Sequence, residues 1–240
     1  SDVLGLVVAW TASMLVKRPP SRRYTYGLRG SSILAALFNA LFLLIAVGAI
    51  GWEALQRFAS PQPVAGMTVI VVAGIGIVIN GATALLFASG AKADINIRGA
   101  FLHMAADAAV SAGVVVAGLL ILYTGWLWLD PLVSLLIVAV IVWGTWGLLR
   151  DSLSMSLSAV PPGVDAGAVR SYLEGLPGVS ELHDLQIWPI STTDIALTAH
   201  LRMPDGHPGD SFLIQTSQGL SQRFAIGHAT LQIEVSTNTV

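Results

Sequence analysis

The sequence contains no cysteine and very little charge. Without Cys there is no disulfide framework, no thiolate metal cage and no Cys nucleophile. Only 11% of the 240 residues are Asp, Glu, Lys or Arg, and 54% are apolar. Average soluble domains carry about 25% charged residues, so a water-soluble globule along the whole length is excluded. No nucleic-acid surface is expected, because the few bases are not read as interleaved with exposed aromatics. No internal repeat and no low-complexity tract is present. The chain opens with Ser1 and enters an apolar run at once, with no charged leader and no small-residue cleavage site. It therefore does not begin with a signal peptide, and the start is read as a cut inside a longer protein.

Charge is unevenly placed. Residues 1–157 hold nine bases and six acids, a balance of +3, while residues 158–240 hold three bases and eight acids, a balance of −5. The first part also contains apolar stretches at 3–16, 31–56, 64–90, 99–123 and 131–149. A helix needs about 20 apolar residues to cross a bilayer. Spans this long should be helical, because hydrocarbon offers the backbone no other hydrogen-bond partners. Four stretches are long enough, and the first is short. The expected architecture is an all-α transmembrane bundle of five spans over 1–157, followed by a small α+β domain over 158–240.

The connecting segments fix an orientation. The first, KRPPSRRYTYGLR, carries Lys17, Arg18, Arg22, Arg23 and Arg29 and no acid. The segment after Arg57 is uncharged, the third holds Lys92, Asp94 and Arg98, and the fourth sets Trp126 and Trp128 at interface depth. By the positive-inside rule, 17–30, 91–98 and everything after 150 face the cytoplasm. The basic segment is read as topogenic charge, with lipid-headgroup binding as the alternative.

Past Pro161 and Pro162 the pattern changes. Asp165 can cap a helix reaching Leu176, and Pro177-Gly178 closes it. Residues 182–190 and 194–203 alternate like strands joined by a hairpin, 210–225 reads as a helix, and 229–235 as a third strand. The order α-β-β-α-β suits a compact two-layer domain.

The sharpest chemical signal lies in the fourth span. His103 and Asp107 in FLHMAAD are four residues apart, on one face of a helix. An ionisable side chain at bilayer depth costs about 2.5–3.5 kcal/mol on insertion scales, and a divalent cation gives two of them a shared reason to be there. Imidazole nitrogen plus carboxylate oxygen forms half of a tetrahedral Zn²⁺ shell. Flanking Ala105, Ala106, Ala108, Ala109, Ser111, Ala112 and Gly113 would let a second helix approach closely. The first span, with Asp2 near its end, is a candidate for that helix. The competing reading of the pair is an intrahelical contact that locks a bundle, and of Asp2 a solvated terminal acid. Asn39, Asn80 and Thr83 are read as bonding across helices, and Glu53 beside Trp52 and Arg57 as an interfacial anchor.

With these residues in view, the chain resembles the cation diffusion facilitators. The stretches YTYGLRGSSILAALFNALFLL, AFLHMAADAAVS and WLWLDPLVSLLIVAVIVWGTWGLLRDS, then a domain containing VSELHDLQIW, carry the likeness over essentially the whole length. The resemblance implies six transmembrane helices, a ferredoxin-like cytoplasmic domain, and a homodimer exporting Zn²⁺, with Cd²⁺ or Co²⁺ as related cargo, in exchange for protons. It implies a multi-pass protein of the bacterial inner membrane, with no catalytic cofactor. The family's fifth-helix H-x-x-x-D falls on His103 and Asp107, and the Asp of its second-helix motif on Asp2. The partner of Asp2 would lie two residues before Ser1, so the five spans correspond to helices two to six. The family's cytoplasmic metal positions carry over to His183, His200 and Glu234, with Gln186 and Gln232 standing where relatives have His. His228 is placed before the last strand as a possible assistant, and His207 in a loop. For His183 and His200 the competing reading is a satisfied strand histidine.

The mechanism expected from this likeness is competition between metal and protons for one set of N/O ligands. The acidic C-terminal domain is expected to sense the ion and tighten a dimer; the alternative is a solvated dimerisation module. Two rivals concern the whole chain. An intramembrane hydrolase lacks H-E-x-x-H and a spare carboxylate to act as base. A membrane-anchored structural or metal-sensing dimer without transport is the other.

Overall fold

The computed structural model of the chain describes residues 2–60, 66–88 and 95–236, with the side chains of 2–6, 9, 66, 87, 95–103 and 106 outside that description. Five long helices come first: α1 (Asp2–Val16), α2 (Ser31–Ala59), α3 (Gly66–Ala88), α4 (Ile95–Thr124) and α5 (Leu129–Ser156). A smaller alternating region follows: α6 (Ala166–Glu174), β1 (Glu181–Pro189), β2 (Ile195–Arg202), α7 (Asp210–Phe224) and β3 (Ile226–Glu234). Every expected helix and strand is present. The main differences are at ends: α4 begins at Ile95, α5 continues to Ser156, and β3 starts at Ile226.

Among the described residues, four segments are long and apolar enough to cross a membrane: Ser31–Ala59, Met67–Leu86, Asp107–Thr124 and Leu129–Ser156. α1 has 15 residues, about 22 Å at 1.5 Å per residue. The flanks of these helices expose large apolar side chains, including Trp10, Phe42, Ile45, Val78, Leu86, Leu122 and Trp143. In water so much exposed hydrocarbon would drive aggregation; lipid is the solvent that suits it. Between α4 and α5, Gly125 at φ +68 ends the helix, its N–H donating to the Ile121 carbonyl at 2.9 Å. Trp126 and Trp128 then stack at 5.9 Å between ring centroids, a pairing suited to the membrane–water interface.

The chain forms two compact units, Ser1–Leu43 with Thr145–Val240, and Leu44–Gly144. In the second unit α3 lies along α4. Their approach is close at Gly76, where an added Cβ would sit 3.1 Å from the Ser111 hydroxyl. Asp130 joins α5 to α2 through Arg57, whose guanidinium bonds Asp130 at 3.1 Å and Glu53 at 2.6 Å. Glu53 is thus linked through Arg57 to Asp130 of α5. Thr83, expected to bond across helices, donates instead to the Ile79 carbonyl of its own helix at 2.8 Å. Inside a helix that carbonyl is the acceptor always within reach.

In the first unit the C-terminal region is a two-layer α+β fold. The sheet order is β1-β2-β3, with β1 antiparallel and β3 parallel to β2. Asp165 caps α6, its carboxylate accepting from the Gly167 and Ala168 amides at 2.8 and 3.1 Å. Val169 and Leu173 of α6 and Leu220 of α7 pack with Leu182, Leu197, Ala199 and Leu201 in one core. The helices therefore cover one face of the sheet, and the opposite face is left for polar side chains.

Candidate metal centre

Strand register puts the polar residues together. In β2 the core residues are Leu197, Ala199 and Leu201, so by two-residue alternation His200 faces away from the helices. His200 pairs with His183 on β1 and with Gln232 on β3. Glu234 lies two residues beyond Gln232 and shares its face. On β1 a bulge falls between His183 and Gln186. It shifts the alternation by one residue, so His183 and Gln186, three apart, lie on the same face. Asp184 within the bulge has φ +49, a left-handed conformation that Asp tolerates better than most residues.

The resulting geometry is tight. His183 Nε2 lies 3.0 Å from Glu234 Oε2, and His200 Nδ1 lies 2.9 Å from Glu234 Oε1. The two imidazoles meet edge to face at 5.4 Å. Gln232 Nε2 also donates to Glu234 Oε1 at 3.0 Å. The Glu234 side chain is only 3% exposed, so its charge is satisfied by these neighbours rather than by water. The second nitrogen of His200, Nε2, looks toward Asp184 Oδ2 at 3.6 Å, while Gln186 Nε2 donates to Asp184 Oδ1 at 3.0 Å.

One nitrogen from each imidazole and one carboxylate oxygen all lie within 4.8 Å of one another. A tetrahedral zinc ion with bonds of about 2.0–2.1 Å holds its ligands about 3.3 Å apart. Donors within 4.8 Å of one another reach that spacing by side-chain adjustments of at most about 1.5 Å. Two nitrogens and a carboxylate oxygen match the borderline ligand preferences of Zn²⁺. The residues present therefore fit a divalent transition metal.

The other predicted site residues are distributed as follows. Asp2 is the first residue of α1, and His103 and Asp107 lie one turn apart in α4. The side chains of Asp2 and His103 fall outside the described residues, while that of Asp107 is half-buried. His228 lies inside β3, not before it, and its Nε2 is 3.3 Å from Arg29 Nη1. It faces a cation and does not join the three-residue group. His207 accepts from the Gly209 amide at 3.0 Å and shapes its loop. Asp184 was missed by sequence reasoning. Its only written signal is the three-residue interval between His183 and Gln186, which a regular strand would place on opposite faces.

Comparison with known proteins gives the class. The cation efflux transmembrane domain matches residues 1–155, and the cation efflux protein cytoplasmic domain matches residues 161–236. The chain belongs to the cation efflux family. It is a multi-pass membrane transporter of metal cations and not an enzyme. Among similar proteins, the cation efflux system protein CzcD of Alcaligenes sp. strain CT14 is 34% identical over 98% of this chain and 75% of its own length. The zinc transporter ZitB of Escherichia coli is 32% identical over 98% of this chain and 75% of its own. A Bacillus subtilis protein named as a cadmium, cobalt and zinc/H⁺–K⁺ antiporter is 31% identical over 99% and 78%.

Proposed function

We propose that the protein exports Zn²⁺, with Cd²⁺ and Co²⁺ as related cargo, in exchange for protons, and that His183, His200 and Glu234 bind the same ion on the cytoplasmic side. The observation that carries this reading is the convergence of two imidazoles on one buried carboxylate in a chain of the cation efflux family. The reading divides the chain into a transport domain over 1–157 and a cytoplasmic domain over 158–240, and takes the working form to be a homodimer in a bacterial inner membrane, in contact with its lipid. The names of the relatives, which specify zinc, cadmium, cobalt and protons, support the choice of cargo and counter-ion.

Within the membrane we assign cargo binding to His103 and Asp107, with Asp2 as a further ligand. The one-turn spacing on α4 supports the pair, since positions four apart share one face of a helix. All three are N/O ligands that protons compete for directly. Metal arriving from the neutral cytoplasm displaces protons, and protons entering from a more acidic outer side displace the metal. In everted vesicles containing the protein, an imposed proton gradient should drive Zn²⁺ uptake, and His103→Ala or Asp107→Asn should reduce it to background. Unchanged uptake in either variant would reject the intramembrane site while leaving the cytoplasmic one standing.

At the cytoplasmic site His183, His200 and Glu234 would hold the ion in place of their present contacts with one another, and a shared ion would add a link between the three strands that carry them. The −5 balance of residues 158–240 attracts cations to this region. If the site senses the ion, Zn²⁺ should raise the dimer fraction in analytical ultracentrifugation of the detergent-solubilised protein, and His183→Ala should abolish that response without preventing vesicle uptake at high Zn²⁺.

A further inference from the structure

Four cations in the segment between α1 and α2 have no carboxylate within ion-pair distance among the described residues. Arg29, Arg57, Arg170 and Arg202 each lie within ion-pair distance of a carboxylate. Among the described residues, Lys17, Arg18, Arg22 and Arg23 do not, and all four are exposed. Lys17 also lines an open cavity of about 530 Å³ formed by α1, α2, α5 and the loop joining β1 to β2. That volume lies in the range of small-molecule sites.

The cavity has two kinds of wall. The long helices contribute a mostly apolar side, with Val16, Ala36 and Leu148 in it, together with the polar Ser13, Ser32 and Asn39. Lys17, with the hydroxyl-bearing Thr192 and Thr193, forms a polar side. A divalent cation is a poor occupant, because the one charged residue in the lining is itself a cation. A soluble anion would use the polar side and leave the hydrocarbon side unfilled. An anionic amphiphile uses both. The segment 17–30 belongs to the cytoplasmic face by the charge bias of the connecting segments, and that leaflet carries the anionic lipids that attract juxtamembrane bases.

We propose that this cavity is a site for one anionic phospholipid, with its phosphate held by Lys17 and the loop hydroxyls and its acyl chains against Val16, Ala36 and Leu148. The neighbouring Arg18, Arg22 and Arg23 raise the local concentration of the same lipid without entering the cavity. This site depends on membrane placement alone and is independent of which ion is carried.

Native mass spectrometry of the detergent-solubilised full chain, titrated with phosphatidylglycerol or phosphatidylcholine of matched acyl chains at 150 mM salt, tests the proposal. One phosphatidylglycerol per protomer should be retained about tenfold more tightly than phosphatidylcholine, given the attraction of a single base for anionic lipid and the contact of the phosphate. Lys17→Glu should erase that preference. Arg22→Glu, the same charge change outside the cavity, should lower retention by less than about threefold, because salt screens exposed charges beyond about 8 Å. Ala36→Phe should weaken both lipids by filling the apolar side. Glycerol 3-phosphate, the soluble headgroup probe, should fail to displace the lipid. Equal retention of the two lipids by the unaltered protein would overturn the proposal. So would equal effects of Lys17→Glu and Arg22→Glu, which would mean diffuse surface attraction, or ready displacement by glycerol 3-phosphate, which would mean a soluble-anion site. The lipid comparison on the unaltered protein keeps the test valid if a variant misfolds.

Discussion

Glu234 is the residue on which the cytoplasmic site turns. Its two oxygens meet both imidazoles and the Gln232 amide, and it is almost fully buried. Removing it takes away a ligand and the group that aligns the other two. Glu234→Ala should weaken Zn²⁺ binding at this site by at least about 100-fold, the upper end of what even outer-shell losses cost, measured by competition with a fluorescent chelator. Asp184 acts one step further out. Were metal to take His200 Nδ1, the opposite nitrogen would carry the hydrogen, and the Asp184 carboxylate lies 3.6 Å from it, near enough to close to the contact that fixes a ligand's tautomer and orientation. Asp184→Asn keeps a residue that tolerates positive φ but removes the charge, and should cost about tenfold in the same assay. Both imidazoles must be neutral to bind metal, so affinity should fall as the medium is acidified. His183 and Glu234 were singled out through the H-D-L and L-Q-I-E stretches and His200 by its place on the following strand, and the fold brings the three together. Asp184 was not singled out, because a bulge re-aims side chains without leaving a hydrophobic pattern to read.

At the scale of elements, the membrane helices declare themselves by apolar length, and their contacts do not. The four segments long enough to span a bilayer are continuous apolar runs, and lipid contact makes all sides of such helices look alike in sequence. Small residues mark where two of them meet. Gly76 of α3 faces Ser111 of α4 so closely that a Cβ would press on its hydroxyl at 3.1 Å. Ser111 was singled out among the small residues of span four as a place of close approach; its partner proves to be α3. Gly76→Leu should separate the helices and lower the apparent unfolding temperature in detergent, with a loss of about 1–3 kcal/mol typical of overpacking. Gly81→Leu, where nothing lies within 4 Å of the added Cβ position, is the control and should change the unfolding temperature little. In the C-terminal region the alternating strands and the Asp165 cap were readable. The early start of β3 was not: Ile226-Gly227-His228 lacks a strand's hydrophobic alternation and is held by pairing with Ile195 and Ala196 of β2.

At the scale of the whole molecule, segments far apart in sequence are joined by a small polar contact. Arg29, before α2, reaches Asp194 in the β1–β2 loop at 3.5 Å, a separation of 165 residues. The Thr192 amide donates to the Ser32 hydroxyl at 3.1 Å. Asp194 also accepts from the Ser191 hydroxyl at 2.9 Å, so the carboxylate that meets Arg29 is held by its own loop. On the other side, Arg29 Nη1 sits 3.3 Å from His228 Nε2, with Tyr26 edge-on to the imidazole. A guanidinium has only donors, so His228 must accept through Nε2 and carry its hydrogen on Nδ1. Arg22 and Arg23 make the adjoining segment a ready trypsin substrate, and cleavage there reports how firmly it is held. Asp194→Asn should raise the initial cleavage rate several-fold at neutral pH, because the Arg29 charge loses its counter-charge. His228→Gln keeps an acceptor for Arg29 and should preserve slow cleavage. If hydrogen exchange of residues 17–30 is the same in Asp194→Asn as in the unaltered protein, the Arg29–Asp194 pair does not hold the segment.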